Sequence, residues 1–216
     1  MTPDVTADLR RAILSGDEPP GTLIPIDGVA EFFGVSQIPV REALKVLTGE
    51  GLVEHIPHIG YSVAKLTFEE FRELYDVRQA LEAAALRGAV RHATSADDQT
   101  VRAAHDGLWA SVEERDQRAY HLQSRRFHLA LIAPARMERL VHMYESAWNI
   151  TEPAQPMAHV AEENRRSFHD DHSRMVEAFV SRDADLLVQE SQAHFESLKY
   201  AIEAFSDDPE VFRPER

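Results

Sequence analysis

The sequence predicts a mostly α protein in two parts, an N-terminal winged helix-turn-helix and a C-terminal antiparallel all-α bundle. Three observations lead there. Seven of the nine glycines (16, 21, 28, 34, 49, 51 and 60) fall in residues 1–66, where short periodic segments alternate with turns. From Thr67 to about Phe205 apolar residues recur at helical spacing with little glycine, interrupted once at Thr151–Met157 (TEPAQPM). At 44% hydrophobic, a chain of 216 residues has the material for a core.

In the first part, Val5, Leu9, Ala12 and Ile13 keep helical spacing up to Gly16. Asp27 is placed to cap a short helix, GVAEFFG, which stops at Gly34, a position suited to left-handed backbone. Ser36 caps a second helix with Val40, Ala43, Leu44 and Leu47 on one face, and Pro39 sits in its first turn, where a missing N–H costs nothing. After Gly49-Glu50-Gly51 come two strand-like runs, LVEHI and YSVAKL, joined by PHIG as a hairpin. Helix, tight Gly-Val turn, Ser-capped helix and hairpin make a winged helix-turn-helix over residues 1–66.

Thr67 reads as an N-cap, with Glu70 completing a capping box, and marks the boundary at 65–67. Six helical stretches follow, at 67–92, 96–114, 116–133, 135–149, 158–181 and 184–205, each with an apolar stripe. With short connections they form an antiparallel bundle, residues 67–205. The last eleven residues, SDDPEVFRPER, are charged and carry two prolines, so 206–216 is expected to be a frayed tail.

Composition excludes several functions. Cysteine is absent, which removes disulfides, a thiolate nucleophile and Cys-based zinc sites. No run reaches the roughly 18 apolar residues of a membrane span, and the first residues are too charged for a secretory signal, so a soluble cytoplasmic protein is expected. No G-x-S-x-G, P-loop or H-E-x-x-H occurs, and no enzyme is expected. A net charge of −14 argues against polyanion binding over the whole surface, so any DNA contact must be a local patch.

The segment GVSQIPVREALKVLTGEGLV resembles the recognition segment of GntR-family bacterial transcription regulators. LTFEEFRELYDVRQALEAAAL resembles the opening of the all-helical effector domain in the FadR-type (FCD) branch. Together the resemblance covers about residues 5–205. It implies a DNA-binding set of Ser36, Gln37, Ile38, Arg41, Lys45 and Gly60. The Ser36 hydroxyl and the helix-terminal N–H groups suit a phosphate. Arg41 reaches a guanine edge or a phosphate, Gln37 and Ile38 help read bases, and Gly60 lets the wing approach the minor groove. Two positions depart from many relatives, Asp27 standing where they carry Arg and Gln37 where they carry Arg or Lys. With five Lys+Arg against nine Asp+Glu in residues 1–66, a net of −4, weaker DNA binding or altered base preference is expected.

Three histidines of the second part lie on apolar stripes: His128 before Leu131 and Ile132, His172 between Phe168 and Val176, and His194 between Leu187 and Leu198. Neutral imidazoles that converge inside a bundle can bind a divalent cation. In the metal-binding branch of the family the pattern is D-x-x-x-H followed by two histidines about 22 residues apart. Here it reads Ser124-Arg-Arg-Phe-His128, then His172 and His194, 22 apart. The resemblance implies a divalent metal (Zn or Ni) on His128, His172 and His194. Ser124 stands in for the Asp, so a water or an oxygen of the effector would complete the site.

Arg78 matches a family arginine aimed into the same cavity, where a guanidinium would hold an effector carboxylate, and the alternative is an intrahelical pair with Glu82. Tyr144 and Trp148 read as core, Arg125-Arg126 and Arg165-Arg166 as solvated faces, and the other eight histidines as surface or structural.

The resemblance thus implies a homodimeric, ligand-responsive repressor that binds double-stranded operator DNA and senses a small-molecule effector, a carboxylate, without touching a membrane. Two alternatives stay open at this point. One is a metal-dependent enzyme with a vestigial helix-turn-helix, the other a DNA-binding module whose bundle is purely structural.

Overall fold

A computed structural model describes residues 4–215 of the chain. Its contacts form two compact units. The first comprises the described residues of Met1–Phe71, Trp148–Ala154 and Asp207–Arg216, the second Arg72–Ala147 and Gln155–Ser206.

The first unit opens with helix α1 (Val5–Leu14), capped by the Asp4 carboxylate accepting from the Ala7 N–H at 3.0 Å. Strand β1 (Leu23–Ile24) is followed by α2 (Ile26–Phe33) and α3 (Gln37–Gly49). Gly34 ends α2 at φ 64°, in the left-handed region that only glycine enters without strain. Val40, Ala43, Leu44 and Leu47 of α3 are buried with Val5, Ile13, Leu52 and Val63 in one cluster. Strands β2 (Val53–Ile56) and β3 (Gly60–Val63) form the antiparallel wing, with Glu54 opposite Ser62 and Ile56 opposite Gly60. The sheet has three strands in the order β1-β3-β2, with Leu23 opposite Ser62. A two-residue strand shows no alternation, so β1 left no trace in the sequence pattern.

Two expectations are corrected in this unit. Asp27 does not cap α2, because the helix starts earlier with Pro25 at its N-cap position. Asp27 lies in the first turn, where its carboxylate accepts a hydrogen bond from Gln37 Nε2. The C-terminal residues are not a frayed tail either. Val211 and Phe212 are buried, Phe212 meets Phe68 and Phe71 edge-on at 5.4 and 5.2 Å between ring centres, and the Arg213 N–H donates to the Leu66 carbonyl at 2.9 Å. Two apolar side chains among charged neighbours are enough to hold the segment in place.

Helix α4 (Phe68–His92) begins with the expected capping box: Thr67 N–H to Glu70 at 2.8 Å, and Glu70 N–H to the Thr67 hydroxyl at 3.1 Å. The bundle continues with α5 (Ser95–Glu113), α6 (Gln117–Ile132), α7 (Glu138–Thr151), the single turn α8 (Pro156–His159), α9 (Glu162–Val180) and α10 (Ala184–Glu203). Helices α5, α6 and α10 start on the side chains of Thr94, Asp116 and Asp183. Chain neighbours α5–α6 and α9–α10 pack antiparallel. Helices α6 and α9 face each other running in the same direction, since Tyr120 meets Arg165 and, two turns on, His128 meets His172. No helix of the described residues is long and apolar enough to cross a membrane.

Candidate functional site

The buried stripe of α6 is Tyr120, His121, Ser124, Phe127, His128 and Leu131, and that of α9 runs Arg165, Phe168, Asp171, His172 and Met175. Helical periodicity therefore presents His128 and His172 to the same interior, and α10 adds His194 between Ser191 and Leu198. The three imidazoles converge. Each offers one ring nitrogen, all within 4.8 Å of one another, and the His172 and His194 Nε2 atoms are 3.2 Å apart. All three residues are at most 2% exposed.

Each end of the cluster is tied to a carboxylate. His128 Nδ1 lies 2.9 Å from Glu82 Oε2, and His194 Nδ1 lies 3.3 Å from Asp171 Oδ2. Glu82, on α4, is fully buried and also accepts from Tyr144 Oη at 2.5 Å and Ser191 Oγ at 2.8 Å. Burial alone would push the Glu82 carboxyl up. The His128 ring beside it and hydrogen bonds from His128, Tyr144 and Ser191 outweigh that and hold it at about 2. Asp171 is likewise held below its ordinary value against burial, by His194 and Arg174. Burial, then the neighbouring imidazoles, pushes His172 well below the usual histidine range. Burial also lowers His194, with Asp171 opposing.

This arrangement fits a divalent cation. Neutral imidazoles present lone pairs, and a histidine whose second nitrogen leans on a carboxylate is the common support for a metal ligand. His172 Nδ1 is buried without a hydrogen-bond partner among the described residues, an orphan of the kind that an ion or a water satisfies. Ser124 is buried one turn before His128, on the same face.

The structure adds residues that sequence reasoning passed over. Glu82, named from the sequence only as an alternative partner of Arg78, enters as the partner of His128. Tyr144, read as core, is a donor to Glu82. Arg165, read with Arg166 as a solvated face, is 5% exposed. Arg78 is buried on α4 with its guanidinium carbon 4.5 Å from the Tyr75 ring centre and 5.9 Å from that of Tyr144. A groove of about 560 Å³ on the second unit is lined by Leu81, Met137, Leu140 and Met143 among others, and none of the three histidines borders it.

On α3, Ser36, Gln37, Ile38, Arg41 and Lys45 are all exposed, as a nucleic-acid face requires, and Ile38 is 71% exposed. Ser36 occupies the N-cap position without a side-chain capping bond, which leaves its hydroxyl available. Arg41 Nη2 lies 3.5 Å from Gln37 Oε1, and Lys45 pairs with Glu42 at 2.8 Å. Gly60 stands at the start of β3 with φ 134° and open space around its Cα.

Comparison with known proteins decides the family. The FCD domain matches residues 73–197, more than half of the chain, and the family of bacterial regulatory proteins named gntR matches residues 2–63. The chain belongs to the GntR family, in its FCD branch. Among relatives of this GntR/FCD regulator, the gluconate operon transcriptional repressor of Bacillus subtilis (strain 168) is 26% identical over 209 residues, 92% of this chain and 84% of the relative. The HTH-type transcriptional regulator YdhC of the same organism is 25% identical over 207 residues, 90% and 89% of the two chains. Among solved structures, McbR/YncC of E. coli superposes with a TM-score of 0.81 at 22% identity, covering 93% of this chain and 95% of that one, which shows the shared fold. The GntR/FCD assignment makes the protein a DNA-binding regulator of transcription.

Proposed function

We propose that this regulator is a homodimeric repressor whose affinity for operator DNA responds to a small carboxylate held at the His128–His172–His194 cluster, with a divalent cation, Zn or Ni, on the three histidines. The observation that carries the reading is the convergence of three buried imidazoles, two of them backed by carboxylates, in a bundle interior where packing alone would favour aliphatic side chains. Repression is carried over from the gluconate operon relative.

The residues divide the work. His128, His172 and His194 would hold the cation through ring nitrogens, and burial lowers the pKa of His172 and His194 toward the neutral form that binds metal. Glu82 and Asp171 fix the orientation of His128 and His194 and supply the negative charge that Ser124, in place of a carboxylate, does not. When bound, the cation supplies a Lewis-acid seat for a carboxylate oxygen. At the DNA, α3 enters the major groove, with Arg41 directed to guanine or phosphate and Ile38 offering an apolar surface to a thymine methyl. A two-fold dimer would read a palindrome.

Two measurements test the reading. Arg41→Ala should weaken binding to a selected operator by about 1–3 kcal/mol, and an unchanged mobility-shift curve contradicts the DNA assignment. Elemental analysis should find metal in the purified protein and a much lower metal-to-protein ratio in His172→Ala. An equal ratio in both contradicts the ligand assignment.

A further inference from the structure

We propose that Arg165 is a second anion-binding point of the same interior, so that the molecule sensed there is a dicarboxylate, with one acid group at the histidines and the other at Arg165. The inference rests on the carboxylate-sensing reading above and narrows it to a class of ligand.

Arg165 is 5% exposed, yet among the described residues its guanidinium makes no hydrogen bond and no ion pair, and its Nη1 is buried without a partner. Its guanidinium carbon lies 5.7 Å from the Tyr120 ring centre, and the Glu162 carboxylate feels its charge without pairing with it. The other arginines of α9 are the reverse. Arg166 and Arg174 are about half exposed and each has carboxylates, Arg166 with Glu162, and Arg174 with Asp171 and Glu190. Stability alone would pair the buried cation first, since a guanidinium withdrawn from water without an acceptor is costly and an exposed one is not. A planar guanidinium fork with a buried, unpartnered Nη1 is half of a carboxylate site.

The surroundings lead from Arg165 to the histidines. Tyr120 and Ser124 are also at least nine-tenths buried, and each brings a hydroxyl to the face of α6 that carries His128. Tyr120, Ser124 and His128 follow one another at intervals of four along α6, and Arg165 and His172 stand seven apart on the facing face of α9. Buried, unpartnered nitrogens therefore stand at both ends of this stretch of α9, Arg165 Nη1 and His172 Nδ1. Buried polar groups are normally satisfied, and two such exceptions seven residues apart on one helix face mark where water or a ligand sits. At about 1.5 Å rise per residue the two ends of α9 concerned are roughly 10 Å apart at the backbone, a span that a diacid of about four to six carbons bridges between the two side chains.

The test is calorimetric titration of zinc-loaded full-length protein with succinate and with butyrate, which has the same chain length but a single acid group. The wild type should prefer succinate at least tenfold, and Arg165→Met should abolish that preference while its zinc content stays that of the wild type. Arg165→Lys, which keeps the charge without the fork, should retain part of it. Butyrate and succinate bound equally by the wild type, or an undiminished preference in Arg165→Met, overturns the Arg165 assignment while leaving a carboxylate sensor standing. Neither acid bound by the wild type overturns the sensing of acids itself, and this inference with it. If Arg165→Met does not fold, the wild-type preference together with Arg165→Lys decides.

Discussion

A histidine alone on an apolar helix face is ordinarily a packed core residue, satisfied by one hydrogen bond. Three whose nitrogens meet within 4.8 Å are different, because burial, and after it repulsion among the rings, lowers the pKa of His172 and, against Asp171, that of His194. Glu82 gives this a direct check. Glu82→Gln preserves the shape of the side chain but removes the charge behind His128, so metal affinity should fall about 10–100-fold in competition against a chelating dye. Unchanged affinity would show that Glu82 only fills space. The three histidines were legible in the sequence because they interrupt apolar stripes. Their supports were less so. Glu82 follows Arg78 by one turn and entered the sequence reading only as the alternative partner of that arginine, although Phe71, Tyr75, Arg78 and Glu82 recur at a buried spacing. Arg165 was obscured by Arg166: only the 100° between successive helical residues separates a buried cation from a solvated one, and the continuation Phe168, His172, Met175 is the signal that tells them apart.

The elements carry most of what the sequence made predictable. The starts read at 67, 96, 116 and 184 lie within a residue of those of α4, α5, α6 and α10, and there Thr67, Thr94, Asp116 and Asp183 each satisfy helix-terminal N–H groups, of which only the Thr67 capping box was read from the sequence. Thr67→Ala should accordingly cost about 1 kcal/mol in a urea melt. The misread elements are those with little periodicity to show, the two-residue β1 and the C-terminal segment. Phe212 is 3% exposed between Phe68 and Phe71, so Phe212→Ala should destabilise the protein by about 3–5 kcal/mol, whereas a frayed tail would show no change. The same segment sets a pH dependence. A hydrogen bond from Arg213 holds the Glu70 carboxyl below its ordinary value, so the stability that it contributes is full above the ordinary carboxyl range and is lost as pH falls through the lowered one. Arg213→Ala should therefore flatten the acid limb of a stability–pH curve.

For the protein as a whole, a net charge of −14 sets the terms of DNA binding. Arg41 and Lys45 are the cations that α3 exposes, and Lys45 is engaged with Glu42. Few phosphates can be neutralised by such a face, so operator affinity should decline gently with salt, with a slope of about −0.9 per phosphate contacted. On the proposed reading specificity would then lean on base contacts from Arg41, Gln37 and Ile38, and the Gln37 amide donates to Asp27. The two-part architecture, its helix-turn-helix and its bundle were all readable from glycine distribution and apolar period, whereas what the bundle does depends on side chains from four helices that no local pattern brings together. The coupling between bundle and DNA is the claim on which the rest depends. It is measured most directly by fluorescence anisotropy of a selected operator duplex with zinc-loaded protein, with and without saturating succinate. Succinate should shift operator affinity by about 5–150-fold, a coupling of ~1–3 kcal/mol, and the shift should vanish in His172→Ala. Identical binding curves with and without the acid would contradict the account.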